Sequence, residues 1–336
     1  MSPDCRTVVS DPAWLGHRFV ESKDAVQFLR VTRDQHAAAT FVTDEYVPAG
    51  LERQEIGRRD AVAAAPAPAP IHFVFHSAFC CSTLIATAFD RSGVSTALKE
   101  PLILNDMVGW RRRGAPGRDV AEATDGALRL LARPFETGEA VIVKPSNIIN
   151  GLIPLLMALR PEARALFLHA PLQLFLTSVA KKGLDGRLWV RELLVGYRRD
   201  GLVQRLGFDD EALFGQTDLQ IAAIGWLAQQ ALFAELLPKL GGRAVSLDSE
   251  ALLDRPGEAM TALARHFGLE PAAQEMVASV FGRNSKSGGS FGRAERVVEY
   301  AAAGAAHRDE IDKVLRWTEV VAEQVGVPMS LQSRLI

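Results

Sequence analysis

The chain has 336 residues, 48% of them hydrophobic and 23% charged, a balance that builds a packed core and excludes a disordered chain. Its 38 Lys and Arg stand against 40 Asp and Glu, a formal net charge of -2, so bulk attraction to nucleic acid or to an anionic membrane is not a property of the chain. Three cysteines, two of them adjacent (Cys80 and Cys81), give neither a disulfide framework nor zinc-ligand spacing. The start of the chain has no basic stretch leading into an apolar run, and the apolar stretches 151–159 and 221–237 read as buried segments, below the length that spans a bilayer. The expectations are a cytoplasmic protein with no nucleic-acid, membrane or metal partner.

The length exceeds the roughly 250–300 residues at which one core stops growing, so an appended unit is expected. Residues 1–60 read as an accessory layer. Within them AVQFLRV (25–31) is a strand or a helical turn, and ATFVTDEYV (39–47) alternates like a strand. AVAAAPAPAP (61–70) reads as a semi-rigid linker, because repeated prolines neither continue a helix nor join a central strand. From 71 to 336 short apolar runs alternate with helical stretches. The strand candidates are IHFVFH (71–76), VSTALKE (94–100), EAVIVKP (139–145), ARALFLHAP (163–171) and RAVSLDS (243–249). Helical spacing covers 120–133, 151–159, 172–182 and 218–240. This order predicts an α/β domain of three layers, α/β/α, with a central parallel sheet of about five strands plus a small N-terminal extension. Ligands of such sheets bind beyond the carboxyl ends of the strands.

HSAFCCST (76–83) leaves the first of these strands and turns into a helix, where backbone N–H groups and the positive helix end converge on one point. Ser82 and Thr83 add hydroxyls. Against the nucleotide-binding pattern G-x-x-x-x-G-K-[ST], with Thr83 on the final position, His76 and Cys81 replace the glycines and Ser82 replaces the lysine. An ordinary ATPase or GTPase loop is therefore a poor match.

The stretch FVFHSAFCCSTLIATAFDRSGV followed by STALKEP resembles the opening of the sulfotransferase family, with Cys80, Ser82, Thr83 and Leu84 on fixed positions of its phosphosulfate-binding loop and Glu100-Pro101 on its Glu-Pro. VIVKPSN (141–147) resembles the family's third strand with its Lys. LFLHAPLQLFLTSVAKK resembles the fourth strand and the helix that holds the 3′-phosphate. The tract from Trp226 through VSLDSEALLDRPGEAMTALARHFGL resembles the last strand and following helix, and NSKSGGSFGR (284–293) the Gly- and Lys-bearing loop that closes over the nucleotide.

The resemblance implies a P-loop-like fold and transfer of a sulfuryl group from 3′-phosphoadenosine 5′-phosphosulfate to a hydroxyl or amine of a small-molecule acceptor. It implies Glu100 as the acceptor's base and Lys144 as the charge beside the transferred group. It implies Ala78, Phe79, Cys80, Cys81, Ser82 and Thr83 around the 5′-phosphate, His169, Thr177 and Lys181 around the 3′-phosphate, and Ser285, Lys286, Gly288 and Gly289 over the nucleotide. The sequence departs from the family at the loop's usual Lys or Arg, which is Phe79, at its usual Gly, which is Cys81, and at both 3′-phosphate arginines, which are His169 and Leu172.

Two rival readings stay open on these departures: a kinase-like nucleotide user with a degenerate loop and Asp248 as its magnesium acid, and a non-catalytic binding or partner protein. For single residues the plain alternatives are a solvated strand end for Glu100, a hydrogen-bonded structural ring for His76, small buried thiols for Cys80 and Cys81, and a solvated loop for the run Arg111-Arg112-Arg113. Contacts to the acceptor are expected from the N-terminal segment, the loop 105–119 and the region 184–215.

Overall fold

Residues 4–269, 304–332 and 334–336 are described in the computed structural model of the chain. They divide into two compact units, the first built from 4–75, 83–165 and 264–269, the second from 76–82, 166–263 and 304–336.

Among the described residues eight strands form two sheets. β1 (Trp14–Val20), β2 (Ala25–Arg30) and β3 (Arg53–Gly57) make an antiparallel sheet in that order. β4 (Ile71–His76), β5 (Ser95–Lys99), β6 (Ala140–Lys144), β7 (Ala165–His169) and β8 (Ala244–Asp248) make a parallel sheet in the order β5-β6-β4-β7-β8. Both the strand count and the α/β/α class match the sequence pattern. The reason is visible in burial: β4, β5, β6 and β7 are buried at every position, as strands of a sheet covered on both faces are. The helices used below are α1 (Ser82–Phe89), α2 (Leu102–Arg112), α3 (Gly117–Leu131), α4 (Leu172–Lys181), α5 (Gly183–Arg199), α6 (Asp218–Leu240) and α7 (Arg308–Val325).

The first unit joins the N-terminal sheet to the helix that follows β5. A register shift between Gly16 and Arg18 marks a bulge at His17, whose buried ring meets Asp44 at 3.0 Å. Asp44 also accepts from Arg18 (3.2 Å) and Arg53 (2.9 Å). Burial pushes its carboxyl up, but the hydrogen bonds from His17 and Arg53 together outweigh that and hold it down at about 2. Arg18 forks onto Asp106 of α2 at 2.9 and 2.8 Å, and the Phe19 amide donates to the same carboxylate. Arg133, just beyond α3, is buried and donates to the carbonyls of Leu130 and Val9.

Several expectations are corrected in this unit. Residues 39–47 form bends and turns, not a strand. Their alternation serves to bury Val42 and Val47 while the Val42 amide donates to the Lys99 carbonyl at 2.7 Å. The Ala/Pro segment begins inside a helix, Arg58–Ala64, and only 65–70 run extended. Residues 105–112 lie in α2 rather than a loop, and Arg111 and Arg112 donate to the carbonyls of Gly151 and Ile148 at 3.0 and 3.2 Å, while Arg113 stays exposed.

The second unit is built around α6, started by a capping box between Thr217 and Gln220 and buried along most of its 23 residues. By length and composition the segment Asp218–Arg243 is apolar enough to span a bilayer, longer than the sequence reading allowed, yet 83% of its apolar window is buried inside the protein. Phe233 of α6 stacks on Phe167 of β7 at 4.7 Å. Residues 184–199 of the region expected to contact the acceptor form most of α5.

Candidate active site

Each strand of the parallel sheet ends in a titratable residue: Lys99 on β5, Lys144 on β6, His76 on β4, His169 on β7 and Asp248 on β8. Polar side chains at that end of a parallel strand are the usual furniture of a ligand site.

In the first unit the ends of β5 and β6 bring Glu100 and Lys144 together. The strands pair in parallel with Lys99 opposite Lys144, so the residue after β5 reaches the last residue of β6. The Glu100 amide donates to the Lys144 carbonyl at 2.7 Å, and the Lys144 Nζ donates to the Glu100 carboxylate. Glu100 is held at φ +57°, a left-handed conformation that a residue with a Cβ adopts at a cost of about 1–2 kcal/mol. Lys144 is 1% exposed in its side chain and Glu100 19%. The Lys144 ammonium lies 4.7 Å from the centroid of the Phe41 ring. Phe41, from the segment expected to be a strand, is a partner of the candidate pair that sequence reasoning missed, since a lone aromatic in a turn carries no motif. Lys99 beside them is also buried; its Nζ donates to the Ala37 carbonyl at 3.0 Å, and burial holds its pKa below the usual lysine range, opposed by Asp90 and aided by Lys144.

The loop after β4 shows what the sequence departures do to the backbone. Ala78, Phe79 and Cys81 lie at φ +73°, +53° and +65°. Among the described residues, non-glycine positive φ occurs at only two further places, Glu100 and Asp24, so four of the five fall on candidate site segments. Cys81 therefore takes a left-handed conformation that costs a residue with a Cβ about 1–2 kcal/mol. The loop is pinned inside the second unit: the Ala78 amide donates to His76 Nδ1 (3.1 Å), the Ser77 amide to the Leu168 carbonyl (3.1 Å), and Ser77 Oγ accepts from the Ala170 amide (3.2 Å). Trp226 of α6 donates to the Ala170 carbonyl at 2.9 Å. His76 is thus a hydrogen-bonded ring. Phe79 packs on Phe175 and Trp189 at 5.6 and 5.3 Å between ring centroids, so the position of the missing loop cation is an aromatic anchor. Cys80 is buried, and Ser82 and Thr83 are buried at the start of α1.

Cys81→Gly is expected to stabilise the protein by about 0.5–1 kcal/mol, the left-handed strain relieved less the backbone entropy of glycine. A urea midpoint raised at unchanged slope reports it; a lowered midpoint would show that the thiol's own contacts outweigh the strain.

His169 ends β7 in the second unit, 6% exposed, with Nδ1 buried and without a hydrogen-bond partner. Burial lowers its pKa, opposed by Asp248 and aided by Arg334, and the ring is neutral at pH 7. Its Nδ1 lies 3.8 Å from Asp248 Oδ2, while Asp248 Oδ1 accepts from the amides of Glu250 and Ala251. His169, Asp248, Arg255 and Arg334 share a cavity of about 300 Å³. Thr177 and Lys181 are not among its lining residues. Thr177 returns its hydroxyl to the Gln173 carbonyl at 2.8 Å and lines a separate cavity of about 480 Å³ with Arg308, and Lys181 is exposed. The expected trio is therefore not brought to one cavity. Ser285, Lys286, Gly288 and Gly289 lie outside the described residues.

No protein-family profile and no curated protein sequence matches the chain. Among solved structures it is similar to a sulfotransferase from Mycobacterium tuberculosis, with 14% identity over 67% of this chain and 76% of that one and a TM-score of 0.43. It is also similar to the sulfotransferase domain of an olefin synthase from Synechococcus, with 14% identity over 69% of this chain and 84% of that one and a TM-score of 0.38.

Proposed function

We propose that the chain is a sulfotransferase-type enzyme that uses 3′-phosphoadenosine 5′-phosphosulfate and sulfates a hydroxyl or amine of a small-molecule acceptor. The observation that carries this is the Glu100–Lys144 pair. Two residues 44 positions apart, singled out as base and cation, form one buried ion pair across neighbouring strand ends, with the carboxylate partly open. A carboxylate that takes up a proton loses its hold on its ammonium. Proton removal from an acceptor by Glu100 would then release the charge of Lys144 toward a developing anion, coupling base and electrostatic stabilisation in one pair. Phe41 and the burial of Lys144 keep water from screening that charge.

The residues present fit a phosphate-bearing nucleotide on two counts: the strained loop 78–81 leading into the buried hydroxyls of Ser82 and Thr83, and the unpartnered, buried His169 Nδ1 on a cavity with two arginines. When bound, the donor supplies an activated sulfuryl group on a phosphate leaving group. The loop amides and the hydroxyls of Ser82 and Thr83 would hold its 5′-phosphate.

Thermal unfolding with and without millimolar 3′-phosphoadenosine 5′-phosphate tests this reading. A ligand at about 100 times its Kd adds about 2.7 kcal/mol, a clear upward shift of Tm. Absence of any shift, or protection by ATP with magnesium alone, would overturn it.

A further inference from the structure

The sequence lacks both arginines that the resemblance places on the 3′-phosphate, and the structure offers replacements that no motif marks. We infer that Arg334 and Arg255, flanking His169, supply the charge that holds the 3′-phosphate of the bound nucleotide, an inference that rests on the function proposed above. The cavity lies wholly within the second unit, and the chain reaches it from three directions. His169 and Pro171 bring the end of β7 and the start of α4, whose first turn no side chain caps. Arg255 follows the short helix after β8. Arg334 comes from the last described stretch, which is fixed along β8 by a parallel bridge to Ser246, by the Leu335 amide on the Ser246 carbonyl (2.8 Å), and by Ser246 Oγ on the Gln332 carbonyl (3.0 Å).

The electrostatics favour an anion. Among the side chains that line the cavity, two guanidiniums and a neutral ring face one carboxylate, and that carboxylate is engaged by two backbone amides. Arg255 is also paired with Glu258 at 3.2 Å, but both side chains are about half exposed, so this pair gives way readily to a phosphate. A guanidinium matches a phosphate edge with two parallel donors, which an ammonium cannot do. His169 Nδ1, already buried without a partner, gains one when its tautomer donates to a phosphate oxygen.

The experiment compares binding of 3′-phosphoadenosine 5′-phosphate with that of adenosine 5′-phosphate by calorimetry on the full chain, in wild type and in Arg334→Gln, Arg255→Gln and Arg334→Lys. The preference for the bisphosphate is expected to fall at least about tenfold in each Gln variant, since a hydrogen bond to a charged group contributes about 1.5–3 kcal/mol. Binding of the monophosphate should change less than about twofold, because only the 3′-phosphate is lost. Arg334→Lys should recover part of the preference. A preference unchanged in both Gln variants, with wild type still binding the bisphosphate, would overturn this inference and leave the sulfotransferase reading standing. A wild type that binds neither nucleotide would overturn both.

Discussion

Lys144→Met is expected to reduce kcat/KM by about 10²–10⁴ for any acceptor the wild type sulfates, while binding of 3′-phosphoadenosine 5′-phosphate stays nearly unchanged. The same substitution should cost about 3 kcal/mol of stability, because a partner removed from a buried ion pair leaves the other charge uncompensated. The figure belongs at the low end of the range for buried pairs, since the Glu100 side chain keeps 19% of its exposure. The contact of the Lys144 ammonium with Phe41 is lost as well, and a methionine side chain refills that place only with apolar contact.

Glu100→Gln separates chemistry from structure. The amide oxygen still accepts from Lys144 Nζ, so stability should fall by less than in Lys144→Met, yet the group no longer takes a proton and turnover should fall by a comparable factor. In the double variant neither a carboxylate nor an ammonium is left stranded, so the stability losses should be less than additive by about 1 kcal/mol or more, with activity as low as in the worse single variant. Turnover that survives both single changes would remove the assigned roles, and strictly additive stability losses would show that the pair is not coupled.

The contrast between what the sequence made legible and what it hid follows from where the information lies. The five parallel strands were readable because a doubly covered strand writes itself as a short, mostly apolar, β-rich segment between helical stretches, and each closes on a titratable residue at the strand's carboxyl end. Cys81 was readable as a place of strain, because the sulfotransferase resemblance puts it, a residue with a Cβ, on a glycine position, and the backbone takes φ +65° there. Phe41 and residues 39–47 were not readable: alternation signals a strand only when the pleat buries one face, and here Val42 and Val47 are buried from bends. The helix α2 was hidden for a related reason, because its acid Asp106 and its terminal arginines serve contacts from β1 and from 147–152 that local periodicity does not record. Arg334 was invisible for the simplest reason. It lies 165 residues beyond His169 and reaches the same cavity only through pairing of the chain's last segment with β8.

Acid is expected to destabilise the first unit, and among its buried histidines His36 and His72 carry the largest shifts. His36 is 2% exposed, has no hydrogen-bond partner on either ring nitrogen, and meets Phe135 edge-on at 5.3 Å. Burial above all, then the charges of Lys99 and Arg33, push its pKa down to about 3. His72 on β4 accepts from the Arg164 amide through Nδ1 and stacks on Phe267 at 5.5 Å, and burial first, then Arg164 and His266, push it down to about 4. Both folded values lie below the unfolded value near 6.5, so the unfolded chain binds more protons and stability falls as pH drops below that value. Linkage assigns each ring about 2 kcal/mol of stability lost between pH 8 and pH 5. Denaturant unfolding at the two pH values should therefore differ by about 4 kcal/mol from these rings, and His36→Leu should remove about half of that difference while leaving pH 8 stability unchanged or higher, since two unpartnered nitrogens leave the core. A slope that His36→Leu does not alter would show that the ring is solvated in the folded protein. If the slope does flatten, the acid limb of any pH–rate profile is best measured in that variant, where protonation of His36 no longer contributes to loss of the fold.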